Sequence, residues 1–207
     1  MADDDASDAG RDDRLRIRNV VEDWATFRDG GFWDRFADVW HDDGRMMATW
    51  FRGSAEAFIE VSEEGRKGEG SILHFLGGST VDVSGDRAIA QTRMEIHQRD
   101  YVHDELVDVV CFGRFYDFFE KREGEWGVVL RQPIYEKDRM DVVAPGVDIE
   151  LEQDVLDRFP DGYQHLAYLQ TKLGFDVKAD MPGLKGPEVE ALYESGEKWL
   201  TGEPLDR

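Results

Sequence analysis

The chain has 207 residues, enough for one domain around an enclosed core, with 41% apolar and 12% aromatic residues. That composition excludes a disordered chain. The formal net charge of −21 argues against nucleic acid or an anionic membrane as partner, because both repel such a surface; it fits solubility or a high-salt habitat. One cysteine, Cys111, excludes an internal disulfide framework and a thiolate metal cluster. The acidic start lacks the basic and apolar regions of a signal peptide, and no apolar run is long enough to span a bilayer, so a cytoplasmic location is expected.

Residues 1–12 read as a disordered acidic tail. From there Leu15, Ile17, Val20, Val21, Trp24 and Phe27 recur at helical spacing, and Gly30-Gly31 ends the helix. A short second helix carries Phe32, Trp33, Phe36, Val39 and Trp40. Met46 to Phe51 reads as a strand, and Ser54 can cap a helix running to about Glu64. Ser71 to Val83 and Arg87 to Arg99 read as strands joined at Ser84-Gly85-Asp86, with Ala88, Ala90, Thr92, Met94 and Ile96 on one face. Residues 106–122 form a long strand, and Glu123-Gly124-Glu125 turns it into another, Trp126 to Tyr135. Pro145-Gly146 then breaks the pattern. Beyond it lie three helical pieces near 150–158, 161–173 and 187–200, with Pro187 suited to a first turn. Helices followed by a strand meander predict an α+β domain over 13–144 and a helical extension over 145–207, packed on that domain or on a neighbouring subunit.

No metal-protease helix, calcium loop, phosphate loop or serine-nucleophile motif occurs, although histidines on adjacent strands could still meet and bind zinc. Gly77-Gly78 lies inside a strand pattern, where a bulge or close backbone approach is expected. His74 sits in the apolar run Leu73-His74-Phe75-Leu76; a lone strand histidine is most often structural. Asp29 is by default a helix-end carboxylate facing water.

Three stretches change that reading. Trp24 to Arg35 resembles the first helices of the scytalone dehydratase family, sharing its Trp-Ala, its Asp and its Trp-Asp-Arg. His74-Phe75-Leu76-Gly77-Gly78 resembles that family's catalytic His-Phe-x-Gly-Gly strand, and His97-Gln98-Arg99 falls where it carries a second active-site histidine. The Glu123-Gly124-Glu125-Trp126 turn also has its counterpart. Over residues 13–140 the chain is thus similar to the nuclear transport factor 2-like superfamily, in the branch of SnoaL-type cyclases, scytalone dehydratase and hexachlorocyclohexane dehydrochlorinase.

The resemblance implies a cone: a curved antiparallel or mixed sheet and N-terminal helices around a deep pocket. It implies His74 as general base, Asp29 as its orienting partner, and His97 as a second acid/base or donor. Arg28 stands where the family has a tyrosine, Gly113 and Phe115 where it has polar residues, and Trp50 near another tyrosine's place. An apolar, aromatic substrate is therefore expected, lined by Trp24, Arg28, Trp50, Phe75 and Phe115. Arg131 occupies the place of a pocket arginine, able to bind a carboxylate or steady an oxyanion. Tyr101, His103 and Tyr135 lie near strand ends at the pocket mouth. The implied activity is that of a lyase needing neither cofactor nor metal, acting on a small aromatic or alicyclic metabolite by dehydration, dehydrohalogenation or retro-aldol cleavage. The alternative is a non-catalytic binding or assembly module of the same fold. A homo-oligomer, dimer or trimer, is expected through the aromatic sheet face bearing Phe112, Tyr116, Phe118 and Phe119.

Overall fold

A computed structural model describes residues 2–68 and 70–205, with side chains from Gly10 onward. The helical spacing of the first segment buries Ile17, Val21, Trp24 and Phe27 along one face of α1 (Ala2–Gly30). The backbone of the expected disordered tail instead continues this helix; Met1 and the side chains before Gly10 lie outside the described residues. Asp13 anchors that end, accepting from Lys121 Nζ at 2.9 Å and Trp126 Nε1 at 2.8 Å. The other end closes as a Schellman motif: Phe32 N–H donates to the Phe27 carbonyl at 2.8 Å and Gly31 N–H to that of Arg28 at 3.3 Å. Gly31 takes the positive φ of 73° that this cap requires.

α2 is shorter than its apolar spacing suggests, Trp33–Ala37, because Trp40 leaves the helix to begin β1 (Trp40–Met47) opposite Val128. β2 (Arg52–Ser54) leads into α3 (Ala55–Gly65), capped by the Ser54 hydroxyl accepting from Ala57 N–H. Four long strands follow: β3 (Ser71–Ser84), β4 (Arg87–Val102), β5 (Glu105–Arg122) and β6 (Glu125–Val142). With β1 and β2 they form one curled, unclosed six-stranded sheet in the order β2-β1-β6-β5-β4-β3, mixed only because β1 runs parallel to β6. The register of β3 on β4 slips between Leu76 and Ser79, so Gly77-Gly78 marks a bulge, as its place in a strand suggested.

Alternation divides the sheet's two faces. Ala88, Ala90, Met94, Cys111, Phe115 and Phe119 join α1 and α3 in the main core. The extension adds to both faces. Phe159, Tyr163, Leu166 and Leu169, on and around α4 (Gln153–Leu156) and α5 (Gln164–Lys172), complete the inner core. Asp138 of β6 docks α5, accepting from Leu166 N–H and pairing with His165 Nδ1, both at 2.8 Å. On the outer face α6 (Pro187–Leu200) lays Val189, Leu192 and Trp199 over Ile89, Tyr116, Phe118, Val129 and Ile134.

That helix covers much of the face expected to support an oligomer. Tyr116 and Phe118 lie beneath it, Phe119 points into the inner core, and the Lys137 ammonium sits 4.8 Å from the Phe112 ring. No described helix is long and apolar enough to cross a membrane.

Candidate active site

The helix cap places Asp29 in the last turn of α1, against the free edge of β3. One carboxylate oxygen accepts the backbone N–H of His74 at 2.5 Å, and the other meets His74 Nδ1 at 2.8 Å. With Arg28 Nη1 at 3.2 Å as a third donor, the carboxylate is fixed, and the carboxylate fixes the ring. Nδ1 carries the proton toward Asp29, which leaves Nε2 with a lone pair and no protein partner among the described residues. Trp24 meets the imidazole edge-on at 5.2 Å between centroids, and Phe115 lies 5.9 Å from it.

Burial pushes the His74 imidazole below its usual value, the charges of Arg28 and Arg131 push the same way, and Asp29 opposes them without reversing the shift. The ring is therefore neutral near pH 7. Burial works against the Asp29 charge, but the hydrogen bonds and charge of His74, with Arg28 at 3.2 Å, prevail and hold the carboxyl below its ordinary range. Arg28 is itself lowered by burial, and its Nε has no hydrogen-bond partner.

His74 faces an inner chamber of about 30 Å³, walled by Trp24, Trp50, Phe58, Ile96 and Phe115 and by the polar groups of Arg28, Thr49, Gln98, Tyr135 and Gln170. Against it lies a vestibule of about 760 Å³, bounded by Asp29, Arg66, Asp100, Leu173 and Phe175. Arg28, Trp50, Ile72, Gln98 and Gln170 line both and form the rim between them.

Of the residues expected from sequence, Asp29, His74, Trp24, Arg28, Trp50, Phe115 and Tyr135 meet here. Four do not. Phe75 follows His74 in the strand, so alternation turns it outward, where it is 61% exposed. His97 pairs in register with Leu73 rather than His74, so it too faces outward and binds Glu95 at 3.0 Å. Tyr101 shares that outer phase and is half exposed. Arg131 does point inward, but behind the wall rather than into the chamber. It grips Asp117 through two hydrogen bonds of 2.7 and 2.6 Å, its guanidinium 4.2 Å from the Trp24 ring and 3.9 Å from that of Phe115. His103 secures the extension, bonding Tyr168 at 2.9 Å.

Among the polar residues that line the chamber, sequence reasoning missed three: Thr49, Gln98 and Gln170. Gln98 continues the inward series Ala88, Ala90, Thr92, Met94, Ile96, which was its one available signal. Gln170 lies four residues after Leu166, on the buried stripe of α5.

The chain matches the SnoaL-like domain family over residues 11–132. It is 34% identical over 205 residues to Pea pathogenicity protein 2 of Fusarium vanettenii, covering 94% of this chain and 88% of that one. It is 32% identical over 210 residues to an uncharacterized protein of Emericella nidulans, with the same shares. Among solved structures, a putative scytalone dehydratase from Novosphingobium aromaticivorans aligns with a TM-score of 0.55 at 17% identity, covering 70% of this chain and 99% of that one. A type 2 hexachlorocyclohexane dehydrochlorinase, LinA, aligns at 0.53 and 14% identity, covering 68% and 95%. At such identities these likenesses speak for the fold alone. Since the family match spans more than half of the residues and takes in both Asp29 and His74, the chain belongs to the SnoaL-like domain family.

Proposed function

We propose that this protein is a cofactor-independent lyase acting on a small aromatic or alicyclic metabolite, with His74 as general base and Asp29 as its orienting partner. The observation that carries the proposal is the His74–Asp29 pair: a neutral imidazole, one nitrogen committed to a carboxylate, the other unpartnered in a small chamber walled by aromatic and polar side chains. Nε2 takes a proton from a substrate carbon. The C–H electron pair forms the new double bond, and the group on the adjacent carbon departs with its own pair. Where that group is hydroxide, the imidazolium returns the proton to it and water leaves. Asp29 steadies the imidazolium while it lasts. The names of the two structural neighbours, a dehydratase and a dehydrochlorinase, fit the same chemistry.

The test is a turnover screen of hydroxylated and halogenated aromatic and alicyclic compounds against wild type and His74→Ala. A compound that both proteins consume at similar rates would overturn the assignment. A second reading, a binding module of the same fold, draws support from the size of the inner chamber. About 30 Å³ holds roughly two waters, so a ring rests in the vestibule unless the rim parts. A ligand bound equally by wild type and His74→Ala, with no turnover in either, favours that reading.

A cytoplasmic location and assembly as a dimer or trimer belong to the same proposal. With Tyr116 and Phe118 covered by α6, the exposed pair Leu73 and Phe75 on β3 is the apolar surface that supports assembly. Sedimentation of Phe75→Glu checks it: an unchanged assembly state would discard that surface.

A further inference from the structure

Three polar side chains stand in line on the chamber wall, two of them at the rim. Thr49, Gln98 and Gln170 are 1%, 5% and 4% exposed, and they come from the β1–β2 loop, β4 and α5. Buried amides this deep must be paired. The Thr49 hydroxyl donates to Gln170 Oε1 at 2.6 Å, and Gln170 Nε2 donates to Gln98 Oε1 at 3.4 Å. The line has a direction: each acceptor is used within it, and the end facing the chamber is the Gln98 NH₂. That group has no partner among the described residues. Gln98 is register partner to Ile72, which places it diagonally across from His74 on the same sheet face, about 7–8 Å away along the backbone. Gln98 lines both vestibule and chamber, so once the rim parts a ligand the size of one ring can touch both Gln98 and His74.

Resting on the lyase reading, we propose that Gln98 is a catalytic residue that donates a hydrogen bond to an oxygen of the substrate, and that Gln170 and Thr49 are positioning residues that set its polarity. The substrate class follows. It carries an acceptor oxygen, a carbonyl conjugated to or one carbon away from the C–H bond that His74 attacks. As the proton moves to Nε2, the C–H pair flows toward that oxygen, and the negative charge develops opposite the Gln98 NH₂. A halogenated hydrocarbon without oxygen leaves this donor unpaired in the complex, at the cost that an unmet buried donor carries. The extension is thereby part of the chemistry: without Gln170, nothing holds the Gln98 carbonyl away from the substrate.

The test needs no natural substrate. Acetophenone and ethylbenzene share a frame and differ in one oxygen. Titration by NMR should show wild type binding acetophenone more tightly by about two- to ten-fold, although ethylbenzene is the more apolar. Infrared spectroscopy should show the bound carbonyl stretch at lower frequency than in an apolar solvent. Gln98→Met should lose both effects; Gln98→Glu, nearly the same in shape, serves if the first variant folds poorly. Gln170→Glu is the sharper probe. Its carboxylate can only accept, so Gln98 turns over and offers its carbonyl, and the variant should prefer aniline to toluene. A role confined to packing does not produce that reversal. Equal affinity of wild type for the two probes, no binding of acetophenone, an unshifted carbonyl, or an unchanged preference in Gln98→Met would each overturn the proposal. His74→Ala separates it from the lyase reading: the oxygen preference persists there, whether or not any compound is turned over.

Discussion

Asp29→Asn should invert the tautomer of His74. The carboxylate accepts the backbone N–H of His74 at one oxygen and Nδ1–H, with Arg28 Nη1 beside it, at the other. Asparagine has one oxygen and one NH₂ for the same two places. The backbone N–H cannot become an acceptor, so the amide oxygen must stay with it, and the NH₂ then faces Nδ1. The ring answers by carrying its proton on Nε2, the nitrogen that must be free to act as base. The expected loss of turnover is that of a general base, about 10²–10⁴-fold or roughly 3–5 kcal/mol of barrier. A loss of about 1–3 kcal/mol in stability should accompany it, because the hydrogen bonds to a charged acceptor and the partner of Arg28 are removed. The direct assay requires no substrate. Nitrogen-15 correlation spectra of labelled histidine distinguish protonated from bare ring nitrogens, and His74→Ala identifies the signal. Wild type should show Nδ1–H and the variant Nε2–H. An Asp29→Asn protein that keeps the Nδ1–H form would refute the reasoning, as would one that keeps wild-type rates on any identified substrate.

Activity should be flat around neutral pH and fall only on the acid side, below the ordinary histidine value of 6.5, because burial and the neighbouring arginines lower His74. For stability the sign is the same. A lowered histidine contributes fully above its unfolded value and loses that contribution as pH drops through its folded one, and Asp29 repeats the pattern further down; urea unfolding across pH 3–8 should show stability declining with acid. Arg131→Met should cost about 3–5 kcal/mol by stranding the fully buried Asp117, and adding Asp117→Leu should recover most of it; equal melting temperatures for the single and double variants would discard the argument. Gly196→Ala should loosen α6 by about 1–3 kcal/mol, since a Cβ there would sit 1.8 Å from the Tyr116 hydroxyl oxygen, and Tyr116→Phe in the same protein should recover part of the melting temperature but not all, because the ring carbon stays 2.9 Å away.

The pair at the centre of the site was legible because each member sits in a local motif: Asp29 at a glycine-marked helix end, His74 before a double glycine. His97 was misplaced for a reason the sequence itself contained. The inward series on β4 runs Ala88, Ala90, Thr92, Met94, Ile96, and the next member is Gln98. Likeness to a His-Gln-Arg run put the expected chamber residue one position too early, and in a strand one residue is the opposite face. Phe75 fails by the same rule, since it cannot share a face with His74. Arg131 needed a different kind of knowledge. That it lies opposite Asp117 depends on the register of two strands across a hairpin with a bulge in it, which no local pattern specifies.

The extension was the least legible part, yet it completes the site. The rim between vestibule and chamber draws Arg28 from α1, Trp50 from the β1–β2 loop, Ile72 from β3, Gln98 from β4 and Gln170 from α5. A ring that is to reach His74 must displace atoms there, since the inner space holds little more than water. The sheet residues are held by two strand ladders and the helix residues by their core faces. Trp50 is held less firmly: it stands in a loop, half buried, with its ring 5.2 Å from that of Phe175, which is 41% exposed. Rotating two aromatic side chains at the surface requires no backbone change, whereas widening the strands would break ladder hydrogen bonds. On the proposed function, the least costly way in therefore runs between Trp50 and Phe175, past Gln98 and Gln170, and a substrate entering by it would meet the polar pair before His74.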